Sequence, residues 1–300
     1  MVRWRFRLES WSWIVVPAAI AIASRIFSAV LVTVIASGSP DVSANHGPFI
    51  AWDGTWYLGI AQFGYHAAPV QEAINAGHHD FAFYPGWPLL IRTVSLGGIL
   101  PFGPISVVLA NGLFVLVAVV VYALFRERFS ERTALWGILL LAFNPVSYVF
   151  SMAYSEGLFV LIAALYFVDR YGRASPLLAG LSVLVRVAGL AIGASAAVMF
   201  VLNRANRFRL ALICLAVGFA FACWWIYLWW LTGRFDGWLL GSTSWDQYEG
   251  FASIVRQIQT HPLRELARGG FVLLMIAGCV LLLRRHLDMA VYGLVAIALS

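Results

Sequence analysis

Charge is scarce in this 300-residue sequence, and one kind of charged residue is missing. Only 11% of the residues are charged, whereas 62% are hydrophobic and the mean hydropathy is +0.84. Soluble globular domains contain about 25% charged residues, so the composition excludes that class and indicates a membrane protein. The 3 Cys exclude a disulfide scaffold. All 20 basic residues are Arg and none is Lys, which suggests a GC-rich bacterial genome and hence a bacterial plasma membrane.

The Arg residues form clusters that alternate with apolar stretches. Basic residues favour the cytoplasmic side of a membrane, so these clusters explain the net charge of +6 without any binding of nucleic acid. The N-terminus, with Arg3, Arg5 and Arg7, is expected in the cytoplasm. We therefore predict an all-α polytopic membrane protein, a single transmembrane domain over residues 1–300. Its spans are expected at about 13–36, 103–125, 133–150, 156–169, 210–232 and 267–283.

The requirement that every Arg cluster be cytoplasmic predicts two large outer loops, and a shorter outer connection, NPVSYVFSMAYSE, between the spans at 133–150 and 156–169. The first covers about 37–104 and contains a juxtamembrane helix at about 84–100, and the second covers about 233–268. The C-terminal apolar stretch begins at about 289 and is short, so the chain is expected to stop part-way through a span, as a truncated protein would.

The same requirement predicts a break in the membrane-embedded part. Two crossings must fit between Arg173 and Arg204, where about 27 apolar residues stand in place of the ~40 that two full spans need. This favours a broken helical hairpin over about 176–202 that turns near Arg186. Broken helices of this kind often line sites inside membranes.

Most acidic residues are predicted to lie outside, so the outer surface is the expected place for chemistry. Aromatic residues such as Trp52 and Tyr84 crowd the first loop, where they can form an interfacial belt or stack on sugar rings. Asp53 stands among them. Its carboxylate can cap the start of a helix, or it can take a proton from a sugar hydroxyl.

Four sequence blocks carry a resemblance to a known family. They are WDGTWYLGIAQFGY, FAFYPGWPLLIR, AYSEGLF and LLAGLSVLVRVAGL, in this order. Together they resemble the PIG-V-type mannosyltransferases of the GT-C glycosyltransferase superfamily. The motifs of that family correspond here to Trp52-Asp53, Tyr84–Pro88, Tyr154–Glu156 and Arg186–Gly189. The resemblance implies a GT-C-like helical bundle with a large first extracytoplasmic loop that carries juxtamembrane helices.

The resemblance also implies an activity. It is the inverting transfer of mannose from a polyprenyl-phosphate-linked donor to an extracytoplasmic glycan or glycolipid, among membrane lipids. Asp53 is then the expected general base. The expected substrate-binding residues are Trp52, Tyr84, Arg92, Tyr154, Glu156 and Arg186.

Arginine suits the leaving phosphate because its guanidinium presents a fork of donors. Arg92 and Arg186 are the first candidates and Arg25 the third, although Arg92 can instead snorkel to lipid headgroups. Glu156 can partner Arg186, orient the acceptor, or simply stabilise the N-terminus of a helix.

No cofactor is expected, since Arg can neutralise the phosphate, although an Asp-bound divalent ion is an alternative. The metal-like cluster His78, His79 and Asp80 lacks a fourth ligand at suitable spacing, and adjacent His residues on a polar loop are more often solvated.

Two other functions fit part of the pattern. One is a GT-C transferase for a different lipid-linked sugar, which the sequence does not distinguish. The other is a transporter of lipid-linked sugars, whose binding groups would lie near the middle of the bilayer. The outer position of the acidic residues favours chemistry at the membrane surface.

Overall fold

The described part of the chain is helical throughout. The computed structural model describes residues 11–37, 47–65, 79–237 and 262–299, and no strand occurs among them. The predicted all-α fold is therefore confirmed. The helices are grouped into two compact units.

The first unit contains Met1–Val70 and Pro85–Gly172. Its described helices are α1 (Ser12–Ser37), α2 (Asp53–Phe63), α3 (Gly86–Val94), α4 (Phe102–Arg128), α5 (Glu131–Phe143) and α6 (Glu156–Val168). The two long helices, α1 and α4, have 26 and 27 residues. At 1.5 Å per residue each extends over about 39 Å or more, enough for a hydrocarbon core of about 30 Å.

Small side chains allow the helices of the first unit to pack closely. Ala21 of α1, Ala118 of α4 and Ala134 of α5 are fully buried in one apolar cluster that also contains Phe114. In a membrane the hydrophobic effect does not drive helices together, so close van der Waals packing between small residues takes its place. α1 packs in this way against both α4 and α5.

One predicted span is shorter than the sequence suggested. A span was expected over 133–150, but α5 ends at Phe143 and has 13 residues, which cover about 20 Å. The Asn144 side chain donates to Leu141 O at 2.9 Å and accepts from the Val146 N–H at 3.0 Å. Pro145 follows, and because proline disfavours helix in the residue before it, the helix stops there. A 3-10 turn over Ser147–Ser151 then leads towards α6.

The second unit contains Gln71–Tyr84 and Arg173–Ser300. Its described helices are α7 (Ser175–Val185), α8 (Leu190–Leu202), α9 (Arg207–Thr232), α10 (Pro262–Leu282) and α11 (Leu287–Leu299). α10 begins within the second outer loop that was predicted over 233–268. Proline suits the first position of a helix because its missing N–H would have no partner inside the helix anyway. Residues 238–261 of that loop lie outside the described residues.

A non-helical break separates α7 from α8. A Cβ at Gly180 of α7 would lie 3.2 Å from Ala216 O, and a Cβ at Gly193 of α8 would lie 2.7 Å from Val217 Cγ1. Both helices therefore contact the same turn of α9. The break consists of Arg186, whose backbone is extended, and the 3-10 turn Val187–Gly189 that follows it.

Three helices are long and apolar enough to cross a membrane. By length and composition they are Trp13–Val34, Phe102–Arg128 and Arg204–Thr232, and five shorter apolar helices accompany them within the described residues. Many of their large apolar side chains are exposed, for example Val30 and Leu31 on α1. Lipid tails can cover such side chains, in agreement with a polytopic membrane protein.

Candidate active site

Asp53 lies at the start of α2, in its first turn. A carboxylate at this position is stabilised by the positive end of the helix dipole. The preceding residue, Trp52, has φ 53° and ψ −122°, a backbone conformation that side-chain-bearing residues rarely adopt. Its ring is 61% exposed. Backbone strain of this kind is found most often at functional sites, where the surrounding structure maintains it.

The segment before α6 packs directly on the start of α2. Tyr154 Oη donates to Ala51 O at 3.3 Å. At Gly54 a Cβ would lie 3.4 Å from Ala153 Cβ and 3.7 Å from Tyr154 Cε1. These are ordinary van der Waals distances, so a Cβ at position 54 would just touch the segment before α6.

A second polar contact joins the same two elements. Tyr57 Oη and Ser155 Oγ are 2.8 Å apart, and both residues are buried. Tyr57 lies one helical turn after Asp53, on the same face of α2. Ser155 directly precedes α6 and Glu156. This bond therefore holds the start of α6, with its carboxylate, beside the start of α2.

The peptide groups of Ala153 are held from two sides. The Ala153 N–H donates to Phe49 O at 2.8 Å, while Ala153 O accepts from Trp87 Nε1 at 2.9 Å. Trp87 is fully buried and belongs to α3, the observed part of the predicted juxtamembrane helix. Three separate parts of the first unit thus meet at this residue, which has no functional group of its own.

The Tyr154 phenol experiences both nearby carboxylates. Burial raises the pKa of Tyr154, and the negative charges of Asp53 and Glu156 raise it further, while a hydrogen bond with the Asp53 backbone acts in the opposite direction. The phenol is therefore neutral at physiological pH and can donate a hydrogen bond. The structure brings together three of the predicted site residues, Asp53, Tyr154 and Glu156, within the first unit.

Arg92 lies at the other end of α2. Its Nη1 donates to Ala61 O at 2.9 Å and to Gln62 O at 3.2 Å. These carbonyls belong to the last turn of the helix, where a cation interacts favourably with the dipole. Eight to nine residues at 1.5 Å each separate them from Asp53, about 13 Å along the helix axis. The structure does not bring Arg92 to the Asp53 carboxylate.

Arg25, in the first predicted span, donates its hydrogen bonds to other groups of the protein. Arg25 is buried in α1, and its guanidinium donates to the carbonyls of Ser147 and Ala142. It was the third predicted candidate for the leaving phosphate. Its donors point instead to the segment between α5 and α6.

The remaining predicted residues belong to the second unit. Arg186 is the residue between α7 and the following 3-10 turn, has an extended backbone with φ −154°, and is half-buried. The Tyr84 ring lies 5.5 Å from that of Trp224, measured between centroids. Asp80 is fully buried, and His79 stacks on Phe81 at 4.6 Å.

No group of three His, Cys, Asp or Glu side chains that could hold a metal ion occurs in the described ranges. His78, part of the predicted metal-like cluster, lies outside them.

Tyr57, Trp87 and Ser155 lie within the sequence blocks of the family resemblance, but the buried contacts that they make were not expected. The position of Tyr57, four residues after Asp53, was a usable signal because residues at that spacing share a helix face. The partners of Trp87 and Ser155 lie 66 and 98 residues away in the sequence, and no local pattern indicates such contacts.

Comparison with known proteins shows a family match over most of this region. The family model described as "Mannosyltransferase (PIG-V)" matches residues 40–214. "GPI alpha-1,6-mannosyltransferase 2" of Rattus norvegicus is 34% identical over 169 residues, which cover 51% of this chain and 32% of that protein. "GPI mannosyltransferase 2" of Drosophila pseudoobscura pseudoobscura is 33% identical over 118 residues, covering 36% and 24%. The matches thus span about a quarter to a third of the length of these relatives. No solved structure matches the chain.

Proposed function

The chain belongs to the PIG-V mannosyltransferase family, and we propose that it transfers mannose from a polyprenyl-phosphate-linked donor to a hydroxyl group of a glycolipid or glycan. The single observation that supports this most is the position of Asp53. Its carboxylate lies at the start of α2, next to a strained and exposed Trp52 and beside Tyr154 and Glu156. The resemblance to the family singled out the same residues.

The proposed chemistry is an inverting displacement with Asp53 as general base. The Asp53 carboxylate takes the proton of the acceptor hydroxyl while the hydroxyl oxygen attacks C1 of mannose. The bond between C1 and the phosphate oxygen breaks, and the electron pair leaves with the polyprenyl phosphate. Tyr154, whose pKa is raised, stays neutral and keeps its hydrogen bond to the backbone before Asp53.

The leaving phosphate needs positive charge, and its ligand is still a prediction from the sequence. Arg186 is the candidate that the Arg186–Gly189 motif of the family indicates, whereas the guanidiniums of Arg92 and Arg25 donate to backbone carbonyls. The extracytoplasmic position of Asp53 is proposed on the distribution of Arg clusters alone. A glycolipid acceptor is suggested by the names of the two relatives, both of which are GPI mannosyltransferases.

Asp53→Asn tests the base assignment. Asparagine keeps the size of the side chain and loses its ability to accept the proton. We expect transfer of labelled mannose from polyprenyl-phosphate mannose to fall by about 10²–10⁴-fold in membranes that contain the full chain. The amount of folded protein should hardly change, since the loss of one charge at a helix N-terminus costs only about 0.3–1 kcal/mol.

Asp236→Asn is the matched control. Asp236 is exposed and paired with Arg234 at 2.8 Å, outside the proposed site, so its loss should leave transfer unchanged. Activity in Asp53→Asn within tenfold of the unsubstituted protein would contradict the role as base. A parallel assay with polyprenyl-phosphate glucose tests the choice of sugar, and transfer from that donor alone would contradict mannose.

A further inference from the structure

A buried arginine in the first helix is hydrogen-bonded to the segment that leads into α6. Arg25 is 6% exposed. Its Nη1 donates to Ser147 O at 2.6 Å and to Ser151 Oγ at 3.1 Å. Its Nη2 donates to Ala142 O at 3.2 Å and to Ser147 Oγ at 3.3 Å. The guanidinium carbon lies 4.1 Å from the centroid of the Phe114 ring.

These acceptors lie where the helical hydrogen-bond pattern is interrupted. Ala142 is in the last turn of α5, and Ser147 begins the 3-10 turn after Asn144 and Pro145. Carbonyls at the end of a helix have no partner within the helix and carry the negative end of its dipole. The planar fork of an arginine has five donors and can bind several of these carbonyls at once, whereas a lysine has three donors on a single nitrogen and spans a shorter distance. Arg25 therefore fixes the geometry of the break after α5.

Only a few residues separate this break from the proposed active site. Ser151 Oγ accepts from Arg25, and Ser151 O accepts from Asn111 Nδ2 at 3.4 Å. Two residues later, Ala153 is held by Phe49 and Trp87. Ser151, Ala153, Tyr154 and Ser155 thus each have a hydrogen bond to another part of the first unit.

We propose that Arg25 is a positioning residue that sets the distance between Asp53 and the Tyr154–Glu156 pair. It acts through the 3-10 turn Ser147–Ser151 and does not bind the leaving phosphate. The expected effect on activity depends on the function proposed above. The expected effect on the position of Tyr154 does not.

Three variants of the full chain, purified in lipid nanodiscs, test this role. Arg25→Met removes all donors and keeps most of the apolar stem, while Arg25→Lys keeps the charge and reaches fewer acceptors. Ser151→Ala removes one acceptor. Ile26→Met is the control, because Ile26 is the next residue of α1 and is 62% exposed.

In mannose transfer, Arg25→Met should lower kcat at least about tenfold and leave the donor KM within about twofold, since displacement of reacting groups by about 1 Å can cost up to 10²-fold in rate. Arg25→Lys should recover part of the rate. Ser151→Ala should lower kcat less than Arg25→Met, and the double variant should be no slower than Arg25→Met alone, because both changes remove the same contact. A raised donor KM with unchanged kcat in Arg25→Met would show a phosphate ligand and overturn the proposal.

A second measurement does not depend on mannose transfer and uses 3-fluorotyrosine incorporated at position 154. The ¹⁹F NMR signal of this probe should be a single buried resonance in the unsubstituted protein and in Ile26→Met. In Arg25→Met or Arg25→Lys it should shift towards the solvent-exposed value or split. If Arg25→Met does not fold, Arg25→Lys and Ser151→Ala carry the test.

An unchanged ¹⁹F resonance in the folded Arg25 variants would overturn the positioning role, whether or not the protein transfers mannose. Conversely, if the unsubstituted protein transfers no sugar while the resonance responds as expected, the proposed function fails and the positioning role stands.

Discussion

Gly189→Ala should destabilise the turn between α7 and α8, and the structure allows its size to be estimated. A Cβ at Gly189 would lie 2.5 Å from Ser182 C and 2.5 Å from Val183 N. Both are backbone atoms of α7, so no side-chain rotation can relieve the clash. The φ of Gly189 is −59°, which alanine adopts readily, so backbone strain does not contribute and the expected destabilisation comes from the clash.

The expected cost follows from the displacement that the clash demands. Side chains and backbone rarely approach within 3.4 Å, so α7 and the start of α8 must separate by nearly 1 Å. Overpacking of this kind costs about 1–3 kcal/mol. For a domain of this size each kcal/mol lowers the melting temperature by about 2–4 °C. We therefore expect a decrease of several degrees.

Gly218→Ala is the matched control, with the opposite sign. Gly218 lies within α9, and, apart from the adjacent backbone of that helix, no atom of the described residues lies within 4 Å of the Cβ that alanine would add. Alanine is a better helix former than glycine by about 0.8–1.0 kcal/mol, so this variant should melt higher than the unsubstituted protein. Thermal unfolding of both variants in the same detergent, followed by size-exclusion chromatography, measures the difference. Equal melting temperatures for the two alanine variants would refute the close approach at Gly189.

Two further predictions concern the contacts around Tyr154. Tyr57→Phe should lower the free energy of unfolding by about 1–3 kcal/mol, because the buried Ser155 hydroxyl loses its hydrogen bond with Tyr57. Adding Ser155→Ala should cost little more. Fully additive losses of the two substitutions in denaturant titrations would contradict the hydrogen bond. The second prediction is a pH dependence. Because the folded pKa of Tyr154 is raised above its unfolded value of about 10, its stabilising contribution is complete below about pH 10 and is lost as the pH rises through the folded pKa. Tyr154→Phe should therefore lose less stability than the unsubstituted protein between about pH 9 and 11, and equal slopes would contradict the raised pKa.

Three of the residues that the motifs named, Asp53, Tyr154 and Glu156, lie close together in the structure, whereas the motifs did not indicate the residues that hold them there. Trp52 and Asp53 follow each other at a helix start, and a carboxylate there is recognisable from the sequence. Glu156 likewise begins α6 where an acidic residue was expected to begin a helix. The bond between Tyr57 and Ser155 joins residues 98 positions apart, which composition and helical periodicity cannot reveal.

The hydrogen-bond partners of the three arginines could not be predicted from the sequence either. Arg25, Arg92 and Arg186 all stood out because an Arg in an apolar stretch is costly without a partner or a role. Arg25 donates to the Ser147 carbonyl after α5, and Arg92 donates to the Ala61 carbonyl near the end of α2. Every arginine has the same long side chain and the same donors. Which acceptor it binds therefore depends on how the helices pack around it.

The sequence by itself determined the class of protein: its scarce charge and long apolar stretches require helices in a membrane, since backbone groups in lipid must satisfy one another locally. It also determined the family, through motifs that keep their order along the chain. Only the tertiary structure decided that Asp53, Tyr154 and Glu156 share one compact unit. It also decided that Arg25 binds the segment that leads into α6. The physical reason is that composition and helix formation depend on neighbouring residues, whereas a site made of residues 100 positions apart depends on packing between helices.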